Sequence, residues 1–301
     1  GSVDAGTKVD YSTSTTISNL EKQGYVYVTT DGTIPSAIEG NQNVVVTVHM
    51  KHGVQPVTPD TPTPDVPKTP DGKTVVDPAN LTKDVNLTVN YVNSDGTQFT
   101  GTIPSNAKQT VTFTGNAYVD KVTGQLVNAT QQDGKWSVDT NNTATPQITW
   151  TSDKTSFDKV VSPVEQNYHL ISVSDHQDGN DVATITGLTK DSGNITVTVT
   201  YAPNGKIIPV DPSGNPIPDA PTPSYPNDPT DPTKVTPDEP VPNVPGYTPS
   251  APTVTPTDPG KDTPVPYTPI VNDQNAVVNY VDQDNNNAQI ATSGNLTGKP
   301  G

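Results

Sequence analysis

The chain has 301 residues, of which 33 are proline and 22 glycine and only 30% are hydrophobic. That is too little apolar material for one globule of this length, so small domains joined by extended segments are expected. With no cysteine, disulfides, thiol catalysis and thiolate metal sites drop out together. A formal charge of −16, from 32 acids against 16 bases, repels phosphate backbones and anionic headgroups, which argues against nucleic-acid binding and membrane insertion.

The chain opens Gly1-Ser2 with no initiator Met, as expected of an excised fragment carrying a cloning remnant. Its richness in Thr, Asn, Val and Pro points to an exported surface protein. Residues 3–53 read as part of a domain. Cap residues at 12–16, Ile17 and Leu20 three apart, and a stop at Gly24 predict a helix over 14–23. Strands follow at 25–28 and 44–50, with a turn at Asp31-Gly32 between them. A helix with a two-stranded hairpin buries too little to stand alone, so part of this domain is expected elsewhere. Residues 54–84 read as a Pro/Thr linker in extended polyproline geometry.

Residues 85–203 alternate with the period of strands that bury one face. Val85, Leu87, Val89 and Tyr91 open the series, Val111 and Phe113 continue it, and Ile195, Val197, Val199 and Tyr201 close it. The pair Asp133-Gly134 predicts a tight hairpin. No apolar set at helical spacing occurs, so this interval is expected to be all-β.

Residues 204–272 hold 20 of the 33 prolines and read as a Pro-rich spacer, which at about 3.1 Å per residue reaches on the order of 200 Å when extended. Ile207, Ile208, Val210, Ile217, Val241, Val244, Tyr247, Val254, Val265 and Tyr267 leave open a second reading, short strands packed on a neighbour. Residues 273–301 repeat an earlier phrase, since Asn-Ala-Val-Val-Asn-Tyr-Val-Asp at 275–282 echoes Asn-Leu-Thr-Val-Asn-Tyr-Val-Asn at 86–93. A hairpin without a helix is expected there. Placed before the N-terminal helix and strands it completes the order β-β-α-β-β of a β-grasp. The fold class is therefore expected to be mainly β, multi-module and elongated, with a β-grasp split across the termini, a β-rich module and Pro-rich spacers.

At this point the motifs resemble the mucus-binding (Mub/MucBP) repeats of lactobacillus cell-surface adhesins. The resemblance rests on VNYVNSDG at 89–96, QTVTFTGNAYVDKVTG at 109–124, WTSDKTSFDKVVSP at 150–163, Tyr168 and TVTVTY at 196–201. The ends resemble the smaller ubiquitin-like module of those repeats. Where the family often carries a basic residue after TVTFT, this chain has Gly115-Asn116, and Asn167 stands where a Gly precedes the aromatic. The resemblance implies a secreted, wall-anchored Gram-positive adhesin that binds host mucin glycans, with immunoglobulins as partners of some repeats.

Binding sugar calls for an exposed aromatic face beside amide or acid side chains. Trp136 with Lys135, Gln132 and Tyr118 is the candidate glycan site, weighed against Trp136, Trp150, Tyr118 and Tyr168 as core residues. Two acidic loops are candidate Ca2+ sites, each weighed against a plain polar turn. One is Asp282-x-Asp284-x-Asn286, which lacks the Gly and Glu that a calcium loop places at its sixth and twelfth positions. The other is Asp175, Asp178 and Asp181. Neither Gly-x-Ser-x-Gly, His-Glu-x-x-His nor a phosphate loop occurs, so no enzyme activity is expected. The alternatives to a glycan binder are a passive stalk that displays a distal adhesin and a protein-ligand module. The split module further predicts head-to-tail self-complementation.

Overall fold

The structure, a computed structural model, describes residues 4–40 and 43–299. Gly1-Ser2, Val3 at the start of the first expected domain, and Pro300-Gly301 at the end of the last lie outside the described residues. The described chain is mainly β, with one α-helix. It divides into two compact units. The first takes the described residues up to Leu87 with Lys108–Phe157 and Ile185–Ile195, and the second takes Thr88–Ala107, Asp158–Thr184 and those from Thr196 onward.

In the first unit α1 (Ser14–Lys22) buries none of its side chains, and the chain leaves it through Gly24 at φ +100°. β1 (Tyr25–Asp31) pairs antiparallel with β2 (Thr47–His52), and the two form a sheet by themselves. The second strand begins three residues later than its alternation predicts. Asp31 pairs with Thr47, and Gly32 at φ +87° then turns the backbone away. Val44 and Val45 are thereby left outside the ladder and exposed.

The expected linker is packed. β3 (Val54–Val57) pairs antiparallel with β5 (Lys108–Asp120), and Val57, Val66, Val76 and Leu81 bury against Ala117 and Val119. Apolar anchors spaced between the prolines hold the segment down, and Pro56, which has no N–H to donate, sits on an edge strand where none is needed.

β4 (Thr82–Asn93) begins in the first unit, beside β5, and ends in the second. Val85, Leu87, Val111 and Phe113 face the core. On the wet face Thr110 and Thr112 donate to Asn86 Oδ1 and Asp84 Oδ1, at 2.7 and 2.6 Å. The sequence from Ala129 to Val138 forms the Asp133-Gly134 hairpin, β6 (Ala129–Gln132) and β7 (Lys135–Val138). β8 (Thr149–Thr151) pairs with β5 so that Trp150 lies opposite Gly115, and β9 (Ser156–Phe157) pairs with Ile185–Thr186.

In the second unit β10 (Tyr168–Val173) pairs antiparallel with the closing strand Ile195–Pro203, whose Val197, Val199 and Tyr201 are fully buried. Two short strands, β11 (Gln177–Asp178) and β12 (Asp181–Val182), pair with each other. In chain order Ile185–Thr186 is β13 and Ile195–Pro203 is β14.

The expected spacer at 204–272 is folded as well. β15 (Ile207–Val210), β16 (Glu239–Pro240), β17 (Tyr247–Pro249), β18 (Thr253–Val254) and β19 (Thr263–Pro269) surround a core of Ile207, Ile217, Tyr225, Val244, Val265 and Tyr267. β19 accommodates its prolines by pairing parallel with β15 through its first half and antiparallel with β17 through its second. Val265 and Tyr267 point inward while Pro264 and Pro266 point out. The C-terminal segment forms two nested pairs, β20 (Gln274–Ala276) with β23 (Leu296–Gly298) and β21 (Asn279–Asp282) with β22 (Ala288–Thr292). Val277, Val278, Tyr280, Val281, Ile290 and Leu296 are all exposed on them.

Candidate functional site

The hairpin β6–β7 is fixed by its loop. Asp133 and Gly134 take φ of 49° and 77°, the left-handed pair that a two-residue hairpin requires and that Asp and Gly accept most readily. Its register places Gln131 opposite Trp136 and Gln132 opposite Lys135. Ser137 faces inward and bridges to Gly53. The Trp136 ring lies at 4.9 Å and 40° to that of Tyr118 on β5, a tilted aromatic pair that holds the indole in place while leaving it partly exposed.

Two grooves meet at this hairpin. One, of about 460 Å³, is lined by Tyr25, Gln55, Lys121, Lys135 and Trp136 among others. The other, of about 320 Å³, is lined by Val26, Lys51, Gln132, Asp133 and Lys135 among others. Lys135 stands on the rim of both and pairs with Glu21 at 3.1 Å. Lys121 and Lys135 thus line the groove that holds Trp136, and Lys51 and Lys135 line the other. Of the four expected site residues, Trp136 packs on Tyr118 and shares a groove with Lys135, while Gln132 lines the neighbouring groove, opposite Lys135 in the ladder.

Tyr25, Lys51 and Lys121 were not found in the sequence. All three sit inside segments that resemble the family, but no local signal ties Tyr25 and Lys51 to a hairpin roughly a hundred residues on. A buried contact positions this wall. His52 Nδ1 lies 2.8 Å from Asp120 Oδ2, and the His52 ring meets Tyr25 edge-on at 5.3 Å. Burial pushes the Asp120 carboxyl up, but the His52 ring and the amides of Val122 and Thr123 outweigh it and hold the group below the usual carboxylate range.

Another cavity in the same unit is a different kind of place. It measures about 890 Å³, is lined by Val9, Tyr11, Ile34, Ile38, Val44 and Val45 among others, and is mainly apolar. It offers few groups that could read hydroxyls, so the smaller polar grooves suit a sugar better.

Trp150 and Tyr168, expected in the core, are only half buried. Lys190 sits 5.7 Å from the Trp150 ring centre, and the Tyr168 hydroxyl bonds Thr97 and Asp95. The acidic candidates are engaged by other groups. Asp178 and Asp181 share the Lys159 ammonium at 2.8 and 3.0 Å, and Asp175 accepts from the His176 amide. Asp282, Asp284 and Asn286 lie at the tip of the β21–β22 hairpin, where Asp282 Oδ1 accepts from the Asp284 amide and Asn286 has φ 52°. Among the described residues no set of three or more His, Asp or Glu side chains is gathered to hold a metal.

Residues 76–205 match the family model described as a Muc B2-like domain, and residues 3–52 match that of a mucin binding domain. No curated protein matches the chain. Among solved structures, that of Mub-RV is 23% identical with a TM-score of 0.42, the match covering 67% of this chain and 88% of the other. A type 2 repeat of the mucus binding protein MUB from Lactobacillus reuteri has the same coverages, with 21% identity and a TM-score of 0.31. With a mucin-binding model on the N-terminal segment and a Muc B2-like model on the β-rich module after it, the chain belongs to the mucus-binding repeats.

Proposed function

We propose that this repeat is a non-enzymatic adhesive module of a secreted bacterial surface protein, displayed on the cell wall, which binds mucin glycans at the Trp136 hairpin. The observation that carries the reading is a partly exposed indole, braced by Tyr118, in one groove with Gln55, Lys121 and Lys135. Trp136 stacks on the apolar face of a sugar ring and Gln55 exchanges hydrogen bonds with its hydroxyls, while Gln132 meets the part of the glycan that reaches the neighbouring groove. Lys51, Lys121 and Lys135 meet the sialate or sulfate that mucin glycans carry. In a chain of net charge −16 such local bases are what an anionic ligand needs, since the field of the whole molecule repels it. Trp136→Ala is expected to weaken mucin binding about 30-fold or more, as losing a central aromatic anchor does. Unchanged affinity in a variant that remains folded would remove the site.

A second reading concerns the ends. α1 buries no side chain, β1–β2 is a two-stranded sheet, and the C-terminal hairpins expose a row of apolar side chains. The helix with the β1–β2 sheet is one half of a β-grasp and the C-terminal hairpins are the other, each completed in a tandem array by the adjoining repeat. On that reading the isolated chain assembles head to tail, with a mass that grows with concentration. Removal of residues 273–301 then leaves it monomeric.

A further inference from the structure

The second unit carries a polar groove of about 470 Å³ that the Trp136 reading does not use. Its walls are the turn that leads into β10 and the segment 224–227, and the backbone of both is pinned. The Tyr168 amide donates to the Glu165 carbonyl at 3.2 Å, which closes the turn with Gln166 and Asn167 at its tip. The Asn167 amide donates to Asn227 Oδ1 at 2.8 Å, and Asn227 Nδ2 donates back to the Tyr168 carbonyl. Asn204 fastens the two walls a second time, donating to the Asn167 carbonyl through its amide and to the Tyr225 carbonyl through its side chain, both at 2.8 Å.

What remains free in this groove is side chain. Asn227 uses both ends of its carboxamide to join the walls. The carboxamides of Gln166 and Asn167 and the Ser224 hydroxyl, by contrast, have no hydrogen-bond partner among the described residues. Asn167 presents its carboxamide from a backbone at φ 65°, the left-handed region that Gly takes most readily and Asn tolerates. Val164 and Pro226, both exposed, complete the lining, and none of its six residues is charged.

Amides that both donate and accept, a hydroxyl and a small apolar patch suit an uncharged ligand rich in hydroxyls, and no base is present to hold a carboxylate, sulfate or phosphate. A peptide strand finds less to pair with, because the backbone of the walls is already committed to the bridges Ser224–Lys206 and Asn227–Val235 and to the Asn204 amide. We propose that this groove binds a neutral N-acetylhexosamine. Gln166 and Asn167 exchange hydrogen bonds with the acetamido group and the ring hydroxyls, Ser224 meets a further hydroxyl, and the acetamido methyl lies on Val164 and Pro226. An uncharged sugar also approaches a chain of net charge −16 without the repulsion that an anionic one meets. The groove shares no residue with the two at the Trp136 hairpin, and the proposal does not rest on the reading of that hairpin.

The test is saturation-transfer NMR on the whole chain carrying Trp136→Ala, which keeps the two sites apart. The probes are the methyl glycosides of N-acetylglucosamine, N-acetylgalactosamine, glucose and N-acetylneuraminic acid. Transfer to an N-acetylhexosamine, strongest at its acetamido methyl, is expected, with glucose and N-acetylneuraminic acid bound about tenfold more weakly or worse. Asn167→Gly removes the carboxamide and keeps the turn, because Gly takes this φ without strain. That variant is expected to remain folded and to lose about tenfold or more in affinity, and Ser224→Ala to lose less. Absence of transfer to both N-acetylhexosamines, or binding that Asn167→Gly leaves unchanged, would overturn the proposal. So would glucose or N-acetylneuraminic acid binding as tightly as the N-acetylhexosamines, or a short uncharged peptide that displaces them from the groove.

Discussion

Asp120 is the residue on which one wall of the proposed sugar groove depends, since it holds His52 and His52 braces Tyr25. Its pKa is depressed in the fold, so it contributes stability that is fully present above the unfolded carboxylate value of about 3.9 and is lost as pH falls through the folded value. Asp120→Asn is expected to cost about 1–3 kcal/mol at pH 7 and to flatten the stability profile below about pH 4. Urea melts across that range check both, and an unchanged acid limb would remove Asp120 from the clamp. Gly115 shows the same economy of space. A Cβ there would meet Leu81 at 2.9 Å, Ile148 at 3.0 Å and Trp150 at 3.3 Å, so a basic side chain at this position would be driven into the core. Gly115→Ala is expected to destabilise the chain by about 1–3 kcal/mol through overpacking, read as a lower urea midpoint.

At the level of elements, what was legible in the sequence was whatever buries one face of a regular strand. Val85, Leu87 and Val89, Val111 and Phe113, and Val197 and Val199 are all buried as their alternation implies, and Asp133-Gly134 closes a hairpin because few other pairs accept its backbone angles. The proline tracts were legible only in part: the apolar residues of 204–272 left packed strands open, but such anchors are irregularly spaced and proline in a strand passes for a linker. Tyr225 and Tyr267, fully buried, show that residues 204–272 fold around their aromatics. Ile207→Ala is expected to cost about 2–5 kcal/mol, as for a large-to-small change in any core. It should also open residues 204–272 to limited proteolysis, whereas a bare spacer would be cleaved equally in both forms. The candidate site divides along the same line. Trp136, Lys135 and Gln132 share one hairpin and could be read together. Tyr25 and Lys51 reach it only through the packing of β1 and β2.

For the whole molecule the governing fact is a net charge of −16 on a chain proposed to take anionic glycans. The lysines at the hairpin make attraction local, so binding is expected to depend on glycan charge and on Trp136 together. Self-association through the ends is a separate property. Deleting residues 273–301 should abolish growth of mass with concentration in sedimentation without changing mucin affinity, and a mass that never varies with concentration would dismiss it. The adhesive account itself is tested most directly by binding the intact chain to mucin before and after complete deglycosylation. Affinity that disappears with the glycans is the predicted result, and affinity that survives on the bare protein core would contradict it.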